Sequence, residues 1–342
     1  MTDSILIYAP SWVGDAVMSL GALRVLRKKF TDERMVVLTR PSVQELYDSC
    51  DEVDETILYD PMGLDKGALG FCRAVSRLRK RSFEKCVLFP NAFRAAAIVT
   101  AAGISERWGY GTESRSFLLT KHVPQAPRPF GRHQAFFYLD LISQLGIDVD
   151  GIVPDIHLTP TKPMRERARK ILQHEGWKGE PLIGVHPGAT NNRAKLWNTS
   201  RYAEVAHRIA DVSGAKIVVL GGPSESSLAK EISEEIPSRL TLMLQGKTSL
   251  GELMGVLPEL ALIVTNDSGP MHLAAALEVP TVAVFGPTDP RETGPLSKVA
   301  RVVREPVDCS PCAFRDCPID HRCMERLDTD RVYQEAFTLV SQ

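Results

Sequence analysis

The stretch LALIVTNDSGPMHLAAAL, residues 260–277, places an apolar run, a polar joint and an alanine-rich run in immediate succession. The apolar run 260–265 predicts a strand, and the alanine-rich run predicts a helix that begins at Pro270. Asp267 and Ser268 suit the position before a helix, and Pro270 suits its first turn, where a missing N–H costs no hydrogen bond. A strand that feeds a helix in this way is the basic unit of an α/β protein.

The polar joint between the two runs is a candidate anion-binding site. The first N–H groups of a helix have no partner within the helix, and its dipole places a partial positive charge at the same end. A phosphate group fits beside such a helix end. The joint residues are Asp267, Ser268, Gly269, Met271 and His272. The alternative is an ordinary capped turn that binds nothing.

The same alternation of short apolar runs and longer helical runs continues along the whole chain, which is typical of an α/β fold with parallel sheets. A length of 342 residues suits two domains, and the proline-rich, aperiodic segment 148–163 suits a linker between them. We expect domains over 1–155 and 164–325, and a C-terminal helix over 326–342 that could pack back on the first domain. The predicted strands include 5–9, 35–39, 85–89, 182–186, 216–220, 260–265 and 281–285.

The composition excludes several classes of protein. Apolar residues make up 44% and charged residues 24%, which is typical of a soluble globular chain. A formal net charge of -1 argues against a nucleic-acid-binding surface. The first residues lack the features of a signal peptide, and no run approaches the ~20 apolar residues that a membrane helix needs. We therefore expect a cytoplasmic protein with no nucleic-acid partner.

Each predicted domain opens with a strand, a proline and a loop of small residues. The first loop is PSWVGD, residues 10–15, and the second is HPGATN, residues 186–191. Ligands of open α/β sheets bind beyond the carboxyl ends of the strands, so we expect two doubly wound domains whose loops face a cleft. Neither loop has the glycine pattern of a dinucleotide-binding or Walker sequence, which argues against NAD and against ATP hydrolysis.

Four polar side chains lie in or directly after these two loops and after the strand that follows the second loop. Asp15 lies in the first turn of a helix with apolar residues every three or four positions. Lys195 can neutralise phosphate as a point charge while Thr190 supplies a directional hydrogen bond. Glu225 follows a strand, where a carboxylate can hold ribose hydroxyls. The alternatives are a dipole-complementing Asp15, a solvated Lys195 and a helix-capping Glu225.

Five motifs, taken together and in order, resemble the ADP-heptose:lipopolysaccharide heptosyltransferases of glycosyltransferase family 9. They are PSWVGD at 10–15, HPGA at 186–189, KLW at 195–197, GGPSE at 221–225 and NDSGPMHLAA at 266–275. The first motif resembles the type II enzymes of that family more than the type I enzymes.

The resemblance implies a GT-B fold of two Rossmann-like domains, inversion at the anomeric carbon and no metal or other cofactor in the chemistry. It makes Asp15 the general base, and makes Lys195 the residue that stabilises the leaving diphosphate. Glu225 would hold the adenosine ribose, and Asp267 would also contact heptose hydroxyls. The donor-binding residues that it implies are Thr190, Asn191, Glu225, Asp267, Ser268, Gly269, Met271 and His272.

The acceptor is expected to meet Ser11, Trp12, Gly14 and Arg94. A basic run, 73–85, would suit a phosphorylated lipid acceptor and peripheral contact with the cytoplasmic face of the inner membrane. The alternative for this run is a solvated helix face.

Four cysteines, Cys309, Cys312, Cys317 and Cys323, lie within one short segment. Their spacing is compatible with a structural zinc ion or an iron–sulfur centre, and disulfides are disfavoured in a cytoplasmic protein. A catalytic metal is not expected, because no open coordination position is evident. The alternative is a cysteine-bearing segment without metal.

The resemblance thus predicts an inverting enzyme that moves L-glycero-D-manno-heptose from ADP-heptose to the first heptose of the lipopolysaccharide inner core. The alternatives are a type I heptosyltransferase, a transferase that uses another nucleotide sugar, and a non-catalytic two-domain protein that binds a small molecule.

Overall fold

The computed structural model describes residues 4–125, 131–190 and 192–341. The chain divides between Ile156 and His157 into two compact units. This boundary lies within the aperiodic segment 148–163. Over the described ranges, no helix is both long enough and apolar enough to cross a lipid bilayer.

Among the residues described, six strands form the sheet of the first unit. They are β1 (Ser4–Tyr8), β2 (Arg34–Thr39), β3 (Glu55–Leu58), β4 (Lys85–Leu88), β5 (Glu106–Tyr110) and β6 (Lys121–Val123). The helices of this unit are α1 (Val13–Met18), α2 (Leu20–Lys29), α3 (Gln44–Asp48), α4 (Gly67–Arg79), α5 (Phe93–Ala101) and α6 (Ala135–Gln144). The strand order is β3-β2-β1-β4-β5-β6, and every neighbouring pair is parallel.

Strand β1 is a fully covered parallel strand. Its residues ILIY, 5–8, are all buried, as expected for a strand with helices on both faces of the sheet. Helix α2 buries Leu20, Leu23 and Leu26 on one face and ends on three basic residues, which suit the negative end of the helix dipole.

The chain between Val13 and Phe30 forms two helices, whereas the sequence predicted one. The break lies at Ser19, whose hydroxyl donates to the carbonyl of Ala16 at 2.8 Å and lies 3.2 Å from the hydroxyl of Tyr47. A serine side chain that bonds to the preceding turn competes with the helical backbone pattern. The break therefore has a local cause that hydrophobic spacing does not report.

The second unit has a sheet of six strands in the part of the chain described. They are β7 (Leu182–His186), β8 (Lys216–Val219), β9 (Thr241–Met243), β10 (Leu262–Asn266), β11 (Thr281–Phe285) and β12 (Ala300–Arg304). Its helices are α7 (Lys162–His174), α8 (Thr199–Ser213), α9 (Ser226–Glu235), α10 (Leu250–Val256), α11 (Gly269–Ala276), α12 (Pro290–Thr293), α13 (Arg322–Glu325) and α14 (Thr329–Val340).

The second sheet repeats the topology of the first. Its order is β12-β11-β10-β7-β8-β9, all parallel, so the first and fourth strands of each unit are neighbours. In an open sheet of this kind the strand order reverses between those two strands, and ligands bind beyond their carboxyl ends. The loops after β1 and β7, which the sequence singled out, stand at these two positions.

The last helix belongs to the second unit. Helix α14 buries Val332, Ala336 and Leu339 in the same core cluster as Ile183 of β7 and Val264 of β10. The sequence instead set 326–342 apart as a segment that could return to the first domain. The apolar spacing of the helix predicts a buried face, but only the tertiary structure identifies the surface that it covers.

Candidate active site

The stretch from which the fold was predicted forms the centre of the second unit's site. Strand β10 ends at Asn266 and helix α11 begins at Gly269, one residue before the predicted start. Ser268 is extended at φ −149° and ψ 172° and occupies the N-cap position. The Ser268 hydroxyl lies 3.3 Å from the hydroxyl of Thr265 and 3.3 Å from Nδ1 of His186. The joint is therefore tied to the end of β7.

A buried ion pair joins the two loops of this unit. The ammonium of Lys195 lies 2.7 Å from Oδ2 of Asp267. The hydroxyls of Thr288 and Thr293 donate to the same oxygen at 2.7 and 3.3 Å. The Asp267 side chain is 3% exposed and that of Lys195 is 19% exposed. A carboxylate this deeply buried needs such partners, because an unpaired buried charge is strongly unfavourable.

The loop that carries Lys195 is anchored through the backbone of the preceding residue, Ala194, whose N–H and carbonyl are both bonded. The N–H of Ala194 donates to the carbonyl of Arg315 at 2.9 Å, and its carbonyl lies 2.7 Å from Nε2 of His321. One residue earlier, Arg193 forms an ion pair with Asp316 at 2.6 Å. The cysteine-rich segment thus holds the short 3-10 helix Arg193–Lys195 in place.

Glu225 occupies a second polar cluster at the ends of β7 and β8. Its Oε2 accepts a hydrogen bond from the N–H of Gly222 at 2.7 Å and lies 3.5 Å from Nε2 of His186. A Cβ added to Gly188 would lie 1.7 Å from Oε1 of Glu225, so the carboxylate fills the space that a side chain there would need. Position 188 in the HPGA motif therefore requires glycine, because any larger residue would overlap the Glu225 carboxylate.

The surroundings of Glu225 favour its ionised form. Burial alone would raise the pKa of this carboxyl, but the contact with His186 and the hydrogen bond from Gly222 outweigh it. The pKa of Glu225 is therefore lowered below its ordinary value of 4.5. A carboxylate held in the charged form is a good acceptor for hydroxyl donors.

Asp15 lies in the first unit, in the first turn of α1 after β1. Its Oδ1 accepts a hydrogen bond from the hydroxyl of Tyr138 on α6 at 3.2 Å. The ring of Tyr138 packs edge-on against Phe89, with centroids 5.3 Å apart. Because Phe89 directly follows β4, the contact links Asp15 to the neighbouring strand end of the same sheet.

The predicted acceptor residues lie in two different parts of the first unit. Trp12 is 57% exposed at the N-cap of α1, between Ser11 and the helical Gly14. Arg94 lies on α5, where it donates to the hydroxyl of Tyr59. Its guanidinium also lies over the ring of Phe71 at 5.6 Å. Aromatic contacts of this kind orient an arginine side chain while leaving donors available for an anion.

The structure changes the interpretation of several predicted donor residues. Asn191 lies outside the described residues, and Thr190 is exposed. The side chain of Met271 is fully buried and packs with Ala283 and Phe285, so only its backbone can meet a ligand. His272 is 4% exposed, which also removes it from the surface.

The four clustered cysteines line one small cavity of about 50 Å³, together with His321 and Ala194. Burial and the neighbouring thiols Cys309, Cys312 and Cys317 raise the pKa of Cys323. Within the described residues, no group of three or more histidine, cysteine, aspartate or glutamate side chains is arranged to hold a metal ion. The structural zinc or iron–sulfur centre that the spacing suggested is therefore not supported.

Sequence reasoning missed three residues of these clusters, namely Tyr138, Thr288 and Thr293, and it placed His186 in a motif without giving it a role. Thr288 follows β11 in the sequence FGPTDP, residues 285–290, which is again a strand end followed by a proline. That pattern was available as a signal. Tyr138 carries no such signal, because it lies in the middle of an apolar helix far along the chain from Asp15.

Comparison with known proteins identifies the family of this chain. The family model described as glycosyltransferase family 9 (heptosyltransferase) matches residues 71–322. The chain is 33% identical over 312 residues to lipopolysaccharide heptosyltransferase 2 of Escherichia coli, covering 88% of this chain and 87% of the relative. It is 30% identical over 308 residues to lipooligosaccharide heptosyltransferase 2 of Haemophilus influenzae, covering 88% of both chains.

A solved structure of E. coli ADP-heptose lipopolysaccharide heptosyltransferase II superposes with a TM-score of 0.83 at 26% identity, covering 99% of both chains. Two parallel α/β sheets of this topology are those of a GT-B glycosyltransferase. The chain belongs to glycosyltransferase family 9, the heptosyltransferases. The resemblance seen in the five motifs is confirmed.

Proposed function

We propose that the protein transfers L-glycero-D-manno-heptose from ADP-heptose to the first heptose of the lipopolysaccharide inner core, with inversion. The relatives named heptosyltransferase 2 support the choice of sugar and acceptor. The observation that carries the proposal is the Lys195–Asp267 pair at 2.7 Å, beside the N-terminus of α11 and at the strand-order reversal of its sheet. Such a position combines a cation with a helix end, which is what a diphosphate requires.

Lys195 is proposed to stabilise the charge that grows on the departing ADP. An ammonium group has three N–H donors, and Asp267 takes one of them, so the others can meet phosphate oxygens. The burial of Asp267 suits a role in orienting Lys195 better than a contact with heptose hydroxyls. ADP leaves as a stable anion, so the site needs charge stabilisation and no proton donor, and the buried His272 need not act as an acid.

Glu225 is proposed to hold the adenosine ribose. The described bonds of its carboxylate use Oε2, which leaves Oε1 to accept hydrogen bonds from ribose hydroxyls. Its lowered pKa keeps the group ionised at neutral pH. The remaining donor contacts are assigned to Thr190, Asn191 and the backbone around Ser268, Gly269 and Met271.

Asp15 is proposed as the general base. The acceptor hydroxyl oxygen attacks the anomeric carbon, the bond from that carbon to the diphosphate oxygen breaks, and the hydroxyl proton passes to the Asp15 carboxylate. An ordinary carboxylate suffices, because the alcohol becomes acidic only as the new bond forms. Tyr138 orients the carboxylate through its hydrogen bond. Ser11, Trp12, Gly14 and Arg94 are proposed to contact the acceptor.

The lipid acceptor implies a cytoplasmic enzyme in peripheral contact with the inner membrane. Exposed apolar and basic side chains of the first unit support this part of the proposal. No step of the proposed mechanism requires a metal ion.

The test compares Asp15→Ala with Asp51→Ala, an exposed acid of the same unit, as a matched control. Asp15→Ala should lower the transfer rate by about 10²- to 10⁴-fold, the usual contribution of a general base. Its affinity for ADP should stay within about twofold of the wild type, since Asp15 is assigned to the acceptor. Retained turnover in Asp15→Ala would overturn the assignment.

The acceptor is tested with ADP-heptose and two truncated lipopolysaccharides, followed by product mass and linkage analysis. We expect transfer to the acceptor that ends in one heptose. Transfer only to the acceptor without heptose would identify a type I enzyme. Release of no ADP with any donor and acceptor would favour a binding protein without turnover.

A further inference from the structure

The loop between β3 and α4 presents large apolar side chains to solvent. Met62 is 79% exposed, Leu64 is 78% exposed, and Leu69, in the first turn of α4, is 77% exposed. We name these three residues the apolar tip. Exposure of three large apolar side chains within eight residues is costly in water unless something covers them.

The loop that carries the apolar tip is tightly held, so the exposure is built into the fold. The carboxylate of Asp60 accepts hydrogen bonds from the N–H groups of Met62, Gly63 and Leu64 at 3.0 to 3.3 Å. Asp65 is buried, and its carboxylate accepts the N–H of Asp60 at 2.9 Å.

The second anchor of the loop is helix α4. Arg77 on α4 binds both oxygens of Asp65, at 2.9 and 2.7 Å. A Cβ added to Gly70 would lie 2.0 Å from the backbone of Asp65, so loop and helix are in direct contact. A loop with this many internal bonds cannot turn its apolar side chains inward without breaking them.

Cations surround the apolar tip. Lys66 is exposed between Leu64 and Leu69, and Arg73 donates to the carbonyl of Leu64. Arg73 also lies four residues after Leu69, so both occupy one face of α4. Arg94 reaches the carbonyl of Gly67 at 3.5 Å from the neighbouring helix.

An exposed aromatic pair extends the surface beyond Arg94. Phe93 is 45% exposed and Phe117 is 74% exposed, and their ring centroids lie 6.2 Å apart. The surface therefore combines apolar and basic groups from the β3–α4 loop, from helices α4 and α5 and from the short 3-10 helix Ser116–Leu118.

In the more distal part of the basic run, Arg81 and Lys85 have acidic partners, whereas Arg79 and Lys80 are exposed. Arg81 forms an ion pair with Glu55 at 2.5 Å, and Lys85 lies 3.9 Å from Glu33 and over the ring of Phe30. Charge available to a partner therefore lies at both ends of α4, and the cations next to the apolar tip are Lys66 and Arg73. A membrane surface attracts cations at about 1 kcal/mol each and takes up apolar side chains at its headgroup boundary.

We propose that the apolar tip, with Lys66 and Arg73, inserts into the headgroup region of an anionic phospholipid bilayer. The inference rests on the proposed peripheral association and names the surface responsible for it. Protruding apolar side chains separated by cations match a bilayer, where the hydrocarbon boundary and the phosphates lie a few ångströms apart.

The test measures binding of the full chain to vesicles of phosphatidylcholine alone and of phosphatidylcholine with about 30% phosphatidylglycerol, a mixture with a negative surface potential. The variant Met62→Ser/Leu64→Ser/Leu69→Ser should bind the anionic vesicles about 100-fold more weakly than the wild type, since each side chain loses part of its transfer free energy. Lys66→Gln/Arg73→Gln should lower binding to anionic vesicles by about 20-fold. Binding of the wild type should weaken as salt is raised.

The matched control is Val153→Ser/Val212→Ser, which removes apolar side chains that are 78% and 59% exposed elsewhere on the chain. It should bind vesicles as the wild type does. ADP affinity and transfer to a deacylated, soluble acceptor should be the same in all these variants, and a change in the triple variant would show that it had damaged the fold or the site.

The outcomes separate this inference from the function on which it rests. If the wild type binds neither vesicle, both the bilayer surface and the peripheral association are wrong, and the surface belongs to a protein partner. If the triple variant binds anionic vesicles as the wild type does, only the proposed surface is wrong. Absence of heptose transfer alongside normal vesicle binding would overturn the proposed function and leave the surface intact.

Discussion

Breaking the Lys195–Asp267 pair should destabilise the second unit measurably. In Lys195→Met, the Asp267 carboxylate stays 3% exposed and keeps only the hydroxyls of Thr288 and Thr293. Removing one partner of a buried pair typically costs about 3 to 5 kcal/mol. The 19% exposure of Lys195 and the two remaining hydroxyl donors place the expected loss at the lower end, about 3 kcal/mol.

The pair is isolated by a double-mutant cycle with Asp267→Asn. The double variant Lys195→Met/Asp267→Asn leaves no unpaired charge, so it should be about 1 to 3 kcal/mol more stable than the sum of the single effects predicts. The assay is urea unfolding followed by tryptophan fluorescence, because Trp197 is 2% exposed and lies two residues from Lys195. Single effects that add within about 0.5 kcal/mol would refute the pair as a structural contact in solution.

ADP binding gives the cycle a functional readout. Loss of the Lys195 ammonium should weaken ADP by about tenfold or more, the usual value of a charge-assisted hydrogen bond. Asp267→Asn keeps Lys195 but loses the group that orients it, so its ADP affinity should fall less than that of Lys195→Met. Calorimetric titration measures both, and equal ADP affinity in Lys195→Met and the wild type would remove Lys195 from the donor site.

Three further outcomes follow from individual contacts. Tyr138→Phe removes the hydrogen bond to Asp15 and should lower kcat about tenfold without changing ADP affinity; an unchanged kcat would show that the bond does not orient the base. Gly188→Ala should displace the Glu225 carboxylate and weaken ADP binding about tenfold. The control Gly222→Ala should not weaken it, because the nearest Glu225 atom is 3.8 Å from the added Cβ. Equal ADP affinities of the two variants would contradict this account. Because the pKa of Glu225 is lowered in the folded state, its ionised form stabilises the fold above pH 4.5, and this stabilisation is lost as the pH falls through the lowered value. The difference in unfolding free energy between wild type and Glu225→Gln should therefore shrink as the pH falls below about 4.5, and a difference that grows over that acidic range would reverse the sign of the shift.

Strong, local patterns were predicted well from the sequence. The seven predicted strands all correspond to strands of the structure, because buried parallel strands are continuous apolar runs. Strands β3, β5, β6, β9 and β12 were not among those named. They include sheet edges and carry charged or polar residues, as in ERWGY at 106–110, so their burial patterns are weaker.

The site residues also divide into those that the sequence indicated and those that it did not. Asp15, Lys195, Glu225 and Asp267 were singled out as candidates because each follows a strand end, where chain order and sheet topology place ligand-binding groups. The residues that bond to these four side chains and orient them were not indicated by the sequence. Tyr138 lies 123 positions from Asp15 along the chain, and no local pattern reports a contact at that separation.

The four clustered cysteines show that sequence spacing alone does not establish a metal site. Their sequence pattern suggested a metal centre, yet the segment that contains them holds the Lys195 loop through Arg315, Asp316 and His321. A spacing pattern reports which residues are close along the chain, whereas a metal site also requires the ligating atoms to surround one ion at bonding distance.

By itself, the sequence determined the α/β class, the two-unit organisation, the strand-to-helix joint at 260–277 and the family, because these depend on periodicity, punctuation and ordered motifs. Only the tertiary structure decided that Asp267 is a buried partner of Lys195, that the last helix completes the second core, and that an apolar tip is held in solvent. The first two depend on contacts between residues distant along the chain, whereas the apolar tip depends on a hydrogen-bond network within residues 60–77. In all three, the free energy comes from burial and pairing that apolar spacing does not report.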